Sequence, residues 1–154
     1  MTSTRTRLEI AFLILGISLF IFFAPYVLGS KEPAIEASVK QNMDFLNEMA
    51  KKYTIKNKRP PATMDELINE ARKDNYNKTL FNPIFKNSGD AIDRQIVEVY
   101  PENLYRSLGP EFQGRQYAGK TGYYADRTHY AIYGHLSNGE LMKQDGKILV
   151  LSNS

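Results

Sequence analysis

The chain has 154 residues and a net charge of +3, and 24% of its residues are charged. It contains no cysteine, which excludes disulfides, thiolate metal sites and cysteine nucleophiles. Acidic and basic residues are interspersed without a basic block that also carries aromatic residues, so no nucleic-acid partner is predicted.

An apolar segment stands near the start of the chain. Residues 10–28 carry no charge and, as a helix, would extend about 28 Å, close to the hydrocarbon thickness of a bilayer. Arg5 and Arg7 precede this segment, so the positive-inside rule predicts a cytoplasmic N-terminus (1–9), a transmembrane helix (10–28) and an extracytoplasmic domain (31–154). This arrangement is that of a single-pass protein of the cytoplasmic (inner) membrane. The alternative is a cleaved secretory signal that ends at the weak match 28–30.

A helical pattern resumes after the apolar segment. Apolar residues spaced by three and four predict an amphipathic helix from about Pro33 to Tyr53. This helix either continues the transmembrane helix, with a kink at Pro25, or begins anew after Gly29 and Ser30. Thr63 begins a Thr-x-x-Glu capping box, which predicts a second helix that ends near residues 73–75.

The C-terminal half changes to strand patterns. Residues 80–83 read as a loop and 87–90 as a turn. Residues 95–100 read as a probable strand, and three or four short strands are predicted in all, from 95–100, 122–125, 128–136, 140–144 and 148–151. Asn138-Gly139 and Asp145-Gly146 are hairpin turn signals, so the simplest prediction is an antiparallel meander. In the longest predicted strand, Tyr130 and Ile132 share one face, and Ala131, Tyr133 and His135 share the other. The predicted class is α+β, with the long helix packed on one face of a small sheet.

No catalytic constellation is evident, and no enzymatic activity is predicted. His129 and His135 lie on one face of a predicted strand, six residues apart, and no carboxylate is arranged as a partner for either. No serine lies in a nucleophile-elbow pattern, and no glycine-rich loop is suited to phosphate.

The order of these parts resembles that of type IV pilins and of the pseudopilins of type II secretion. The residues that carry the resemblance are Leu8-Glu9-Ile10, Glu36 to Met43, Arg59 to Leu67, Phe81-Asn82-Pro83, and Tyr130 to Gly134 with Asn138 to Glu140. The resemblance implies a structural subunit of a pilus or secretion filament that packs against like subunits or other pilin-type proteins through its N-terminal helix. It also implies that Glu9 meets the N-terminal amine of a neighbouring subunit.

Two further points follow from the resemblance. Some pseudopilins bind calcium in the sheet region, and Asp126, Asn138 and Asp145 are the candidate ligands here, although turn chemistry explains each of them equally well. For Glu9, the alternative is an interfacial carboxylate solvated by head groups and paired with Arg5.

The chain also departs from the family pattern. Pilins are cleaved after a glycine just before the apolar helix, but no glycine precedes Gly16 here, and Thr4 fills the matching position. The spacing from Glu9 to Pro25 is one residue shorter than in the family. The missing glycine favours an alternative function, a membrane-tethered binding or sensor domain that has the pilin shape and does not polymerise.

Overall fold

The computed structural model describes residues 31–100 and 112–153. The chain divides into two units, Met1–Lys31 and Glu32–Ser154, and the fold described here is that of the second. The predicted cytoplasmic segment, transmembrane helix and Glu9 lie outside the described residues. Within the described ranges, no helix has both the length and the apolar character needed to cross a membrane.

The long helix α1 is confirmed and spans Glu32–Asn57, four residues beyond the predicted end at Tyr53. Its first turn carries Glu32 and its last turn Lys56, which suits the helix dipole. It ends where Lys58 takes a positive φ of 59°. One stripe is buried, and it consists of Val39, Asn42, Met43, Leu46, Met49, Ala50 and Tyr53.

The second helix, α2, spans Met64–Lys73 and is also confirmed. The Thr63 side chain accepts a hydrogen bond from the Glu66 backbone N–H at 3.1 Å, as a capping residue should. The reciprocal half of the predicted capping box differs, because the Glu66 carboxylate accepts from the Ala62 N–H rather than from that of Thr63. The helix ends at Asp74, whose N–H donates to the Glu70 carbonyl.

A small hairpin replaces the loop and turn predicted between residues 80 and 90, so those two predictions are wrong. Strands β1 (Leu80–Asn82) and β2 (Asn87–Gly89) pair antiparallel. The amide of Asn42 on α1 both donates to the Phe81 carbonyl (2.7 Å) and accepts from the Phe81 N–H (3.1 Å). A helix side chain therefore pairs with this strand as a neighbouring strand would, and such pairing leaves no alternating pattern in the sequence.

The main sheet has four strands in the order β3-β4-β5-β8. They are β3 (Val97–Val99), β4 (Thr121–Ala125), β5 (Tyr130–Gly134) and β8 (Val150–Ser152). A separate hairpin of β6 (Lys143–Gln144) and β7 (Lys147–Ile148) surrounds the predicted Asp145-Gly146 turn.

The all-antiparallel meander is wrong in one pairing, because β3 and β4 run parallel. The chain between them spans residues 100–120, long enough for the crossover that a parallel pair requires. The Asn138-Gly139 turn is present, and Gly139 has a φ of 83°. However, the returning segment bonds to the chain only near Gly134 and Leu136, and the strand that pairs with β5 on the side away from β4 is β8.

Both faces of the sheet are buried. The helix-covered face presents Tyr123, Tyr130 and Ile132 to the α1 stripe, together with α2 and Leu80. The aromatic face presents Tyr100, Tyr124, Ala131 and Tyr133 to Phe112 and Leu141. The predicted division of the long strand into two faces and its packing against the long helix are therefore confirmed.

Candidate functional site

Glu66 stabilises the loop between α1 and α2. Its carboxylate accepts hydrogen bonds from the Ala62 N–H (2.8 Å), the Tyr53 hydroxyl and the Arg59 guanidinium, with which it also forms an ion pair. Arg59, the largest cause, holds the pKa of Glu66 at about 2, and burial with the bond to Glu66 raises the pKa of Tyr53 to about 12. The Glu66 carboxylate therefore stays ionised and bound to these three partners, so its role is structural.

A cavity of about 480 Å³ opens beside this loop. Its lining residues are Arg59, Pro60, Ala62, Tyr100, Ala125, Asp126 and Arg127. Asp126 accepts from the N–H groups of Thr128 and His129, both at 2.7 Å, and these bonds lower the pKa of its carboxyl group. Among the described residues that line it, the cavity therefore offers arginine and aromatic surface, and its one carboxylate, Asp126, is bonded to backbone N–H groups.

A second cavity of about 520 Å³ lies alongside β3, which is an edge strand of the main sheet. Its lining residues are Thr63, Met64, Asp65, Ala91, Ile92, Arg94, Val97, Glu98, Val99 and Lys120. Ile92 and Val99 are 44% and 50% exposed, and Lys120 and Glu98, which also line the cavity, form an ion pair. Within the described residues β3 pairs only with β4, and a strand edge lined by apolar and charged side chains is suited to contact with another polypeptide.

His135 is fully buried on the aromatic face, where its Nε2 lies 3.0 Å from the Tyr100 hydroxyl. Its Nδ1 lies 3.3 Å from the Lys120 carbonyl, and the Tyr117 ring stacks on the imidazole at 5.2 Å. Burial lowers the pKa of His135 to about 4, and burial also raises that of Tyr100. A neutral imidazole that donates from Nδ1 and accepts at Nε2 satisfies both contacts, so His135 fixes the sheet to the Tyr100 ring.

The two histidines are not brought together into one site. His129 is exposed in the β4–β5 turn, where its Nδ1 lies 2.7 Å from the Thr128 hydroxyl. The sequence analysis missed the contact of His135 with Tyr100, because it joins residues far apart in the chain. The one available signal was a polar residue in an otherwise apolar strand.

The three calcium candidates lie in three separate turns. Asp126 bonds within the β4–β5 turn, Asn138 accepts from the Glu140 N–H at 2.9 Å, and Asp145 takes a φ of 52° between β6 and β7. In the part of the chain that the structure describes, no three His, Cys, Asp or Glu side chains form a group that could hold a metal ion. The calcium site stays a prediction, and Glu9 lies outside the described residues.

No protein-family model matches this chain, and no match to it was found among the curated proteins or the solved structures. The resemblance to pilins therefore rests on the residues and on the order of the elements.

Proposed function

We propose that this protein is a membrane-anchored structural subunit of a pilin-like assembly, as in a type IV pilus or a type II secretion filament. The observation that carries the proposal is the position of α1. The helix begins at Glu32, directly after the apolar segment 10–28, and its buried stripe covers one face of a small sheet. One long helix thus supports the folded domain (the head), and in this proposal the apolar segment before it makes the contacts with other subunits.

The packing of α1 supports its proposed role as the helix that carries the folded domain. Val39, Met43, Leu46 and Met49 are fully buried against the head, whereas Lys40, Asp44 and Lys51 are exposed. Burial of four such side chains stabilises the attachment of the helix by several kcal/mol, at about 1.5–3 kcal/mol each.

The experiment uses the lack of cysteine in the chain. Single cysteines are placed in turn at residues 13–16, one full turn of the predicted membrane helix, in the full-length protein in membranes. A subunit that packs against like subunits would give a cross-linked dimer at one or two of the four positions. The control is Lys51→Cys, on the exposed side of α1.

Glu9→Ala sharpens the experiment. If Glu9 neutralises the amine of a neighbouring subunit, this change would abolish the cross-link, whereas Glu36→Ala, at an exposed glutamate of α1, would retain it. Equal cross-linking at all four positions, or none at any of them in cells that contain an assembly system, would contradict a packed assembly.

The second candidate function is a membrane-tethered binding domain that does not polymerise. It is favoured by Thr4 at the processing position and by the cavity along the open edge of β3. The mass of the mature N-terminus separates the two functions. A chain that begins at Met1 or Thr2 favours the binding domain, and a free amine at Arg5 favours the filament subunit.

A further inference from the structure

β3 leaves part of its backbone unpaired at the edge of the main sheet. The Tyr100 N–H donates to the Tyr123 carbonyl of β4 at 3.0 Å. Alternate residues of a strand bond the same neighbour, so Val97 and Val99 direct their backbone groups away from β4. The Val97 N–H donates to the Asp93 carbonyl at 2.9 Å. Within the described residues, the Val97 carbonyl and both backbone groups of Val99 are therefore left without a strand partner.

The side chains at the middle of this edge do not oppose strand pairing. Proteins commonly protect an edge strand with an unpaired charge, and Glu98 stands at that place in β3. Its carboxylate, however, forms an ion pair with Lys120, whose side chain is only 11% exposed. The exposed side chains beside it, Ile92 and Val99, are apolar. The unpaired backbone groups and the apolar side chains together are suited to contact with another β-strand.

One acid and one base stand beside this edge without a partner. Arg94 precedes β3, and Asp65 lies in the first turn of α2. Both are exposed, and both line the cavity beside β3. Within residues 31–100 and 112–153, neither side chain has a hydrogen-bond or ion-pair partner. The edge therefore offers one charge of each sign to a molecule that binds there.

The two unpaired charges lie toward opposite ends of β3, because α2 runs antiparallel to the chain that leads into this strand. Just before the start of α2, the Pro61 carbonyl accepts from the Tyr123 hydroxyl at 2.7 Å, and Tyr123 is the register partner of Val99. Near the end of α2, Arg72 forms an ion pair with Asp90. The unpaired acid therefore lies toward the carboxyl end of β3, and the unpaired base lies at its amino end.

We propose that this edge pairs antiparallel with the same edge of a second copy of this chain. A two-fold axis beside Glu98 exchanges the ends of the strand, so Asp65 of each copy faces Arg94 of the other. The Val99 N–H of each copy then meets the Val97 carbonyl of the other, which gives two backbone hydrogen bonds. A second copy is the occupant that carries an acid and a base in the order this symmetry matches. The contact goes beyond the proposed function and does not depend on the apolar segment.

The lack of cysteine in the chain allows single-site cross-linking of the full-length protein in membranes. Val99→Cys would place two thiols on Cα atoms about 8–9 Å apart across the two-fold axis, a span that a short bismaleimide bridges. The matched control is Val150→Cys, at a valine that is 37% exposed in β8, the opposite edge strand of the sheet. Because the paired copies hold their thiols together, Val99→Cys should give roughly fivefold more covalent dimer than the control.

Charge reversal tests whether the occupant is a second copy. In the Val99→Cys protein, Asp65→Lys and Arg94→Glu each set like charges against one another at both ends of the pair, so the yield of dimer should fall roughly tenfold. An equal mixture of the two variants should restore the yield, because the two altered side chains then face each other and so do the two unaltered ones. Recovery on mixing would also show that both variants are folded.

Three results would overturn the proposal. The first is a yield of dimer from Val99→Cys no higher than that from Val150→Cys. The second is a charge-reversed variant that cross-links as well as its parent. The third is a loss in both variants that mixing does not repair, although their circular dichroism matches that of the parent. Cross-links from residues 13–16 report the apolar segment and are measured separately, so the edge contact and the proposed filament subunit can each fail alone.

Discussion

The two faces of the main sheet are both buried, but they are built differently. The helix-covered face packs methionine, leucine and isoleucine side chains of α1 and α2 against the strands. Among the described residues no α-helix packs on the aromatic face, which is covered by tyrosines, Phe112 and the buried Tyr100–His135 contact. The stability of the helix-covered face therefore depends on apolar volume, and that of the aromatic face depends on close fit and polar pairing. Different substitutions should therefore destabilise the two faces.

Loss of apolar volume on the helix-covered face should have the largest effect. Leu46→Ala removes a fully buried side chain of α1 and should lower the free energy of unfolding by about 2–5 kcal/mol. The control is Ile55→Ala on the same helix, where the side chain is 70% exposed and a change within about 0.5 kcal/mol is expected. Denaturant unfolding followed by tyrosine circular dichroism measures both, and similar losses would show that α1 does not form this face.

Acid should act on the aromatic face through His135. Its pKa is about 4 in the folded protein and near 6.5 in the unfolded chain, because burial disfavours the charged ring. The unfolded chain thus binds a proton that the folded protein does not, so stability falls as the pH drops from 6.5 to 4, by at most about 3 kcal/mol.

His135→Gln should flatten this part of the curve of unfolding free energy against pH, whatever its effect on stability at pH 7. His129→Gln, at the exposed histidine, is the control and should leave the slope as it is. Two parallel curves for His135→Gln and the parent protein would contradict a buried neutral imidazole.

Alanine substitution at one glycine on each face compares how closely the two faces are packed. A methyl group at Gly122 would overlap the Tyr100 ring, which is held by Phe112 and His135. At Gly134 it would meet the sulfur atoms of two methionines at 2.6 and 2.7 Å and Val39 at 2.7 Å. Gly122→Ala should therefore cost more, about 1–3 kcal/mol, because methionine side chains can move aside.

A double-mutant cycle tests the cause. In a Tyr100→Leu background, Gly122→Ala should lose most of its effect on the unfolding free energy. An undiminished effect there would mean that the backbone of β4, not the ring, sets the cost.

Single hydroxyls should give the smallest effects. The Tyr123 hydroxyl donates to the Pro61 carbonyl at 2.7 Å, so Tyr123→Phe leaves a buried acceptor unpaired and should cost about 1 kcal/mol. The buried Tyr76 hydroxyl has no partner within the described residues, and Tyr76→Phe should be neutral or slightly stabilising. The reverse order in thermal unfolding would show that the Pro61 contact does not hold the loop.

The helix-covered face could be predicted from the sequence, because local periodicity carries the information. The spacing of Val39, Met43 and Leu46 shows the buried stripe, and Thr63 shows where α2 begins. The parallel β3–β4 pair and the β1–β2 hairpin could not be predicted, since both depend on contacts between distant segments and on strands of three residues. Asn42 gave a signal that was overlooked, a polar residue inside the apolar stripe.

The candidate site could be predicted only in part. Turn chemistry accounts for Asp126 and Asn138, and the alternation along β5 places His135 on its correct face. The contact with Tyr100 depends on how the chain returns after residue 100, and no local pattern encodes that path. The same is true of the Arg59–Glu66 pair, whose ion-pair role is hidden within an ordinary capping motif.

The double contact of Asn42 with Phe81 has a consequence for dynamics. The Phe81 amide proton is held by a helix side chain, so it can exchange with deuterated solvent only when α1 moves away from the hairpin or the Asn42 amide turns aside. Its exchange rate would therefore report the lifting of one element from another rather than the fraying of a strand. The exchange rate at this single backbone position thus measures how often the long helix α1 separates from the β1–β2 hairpin.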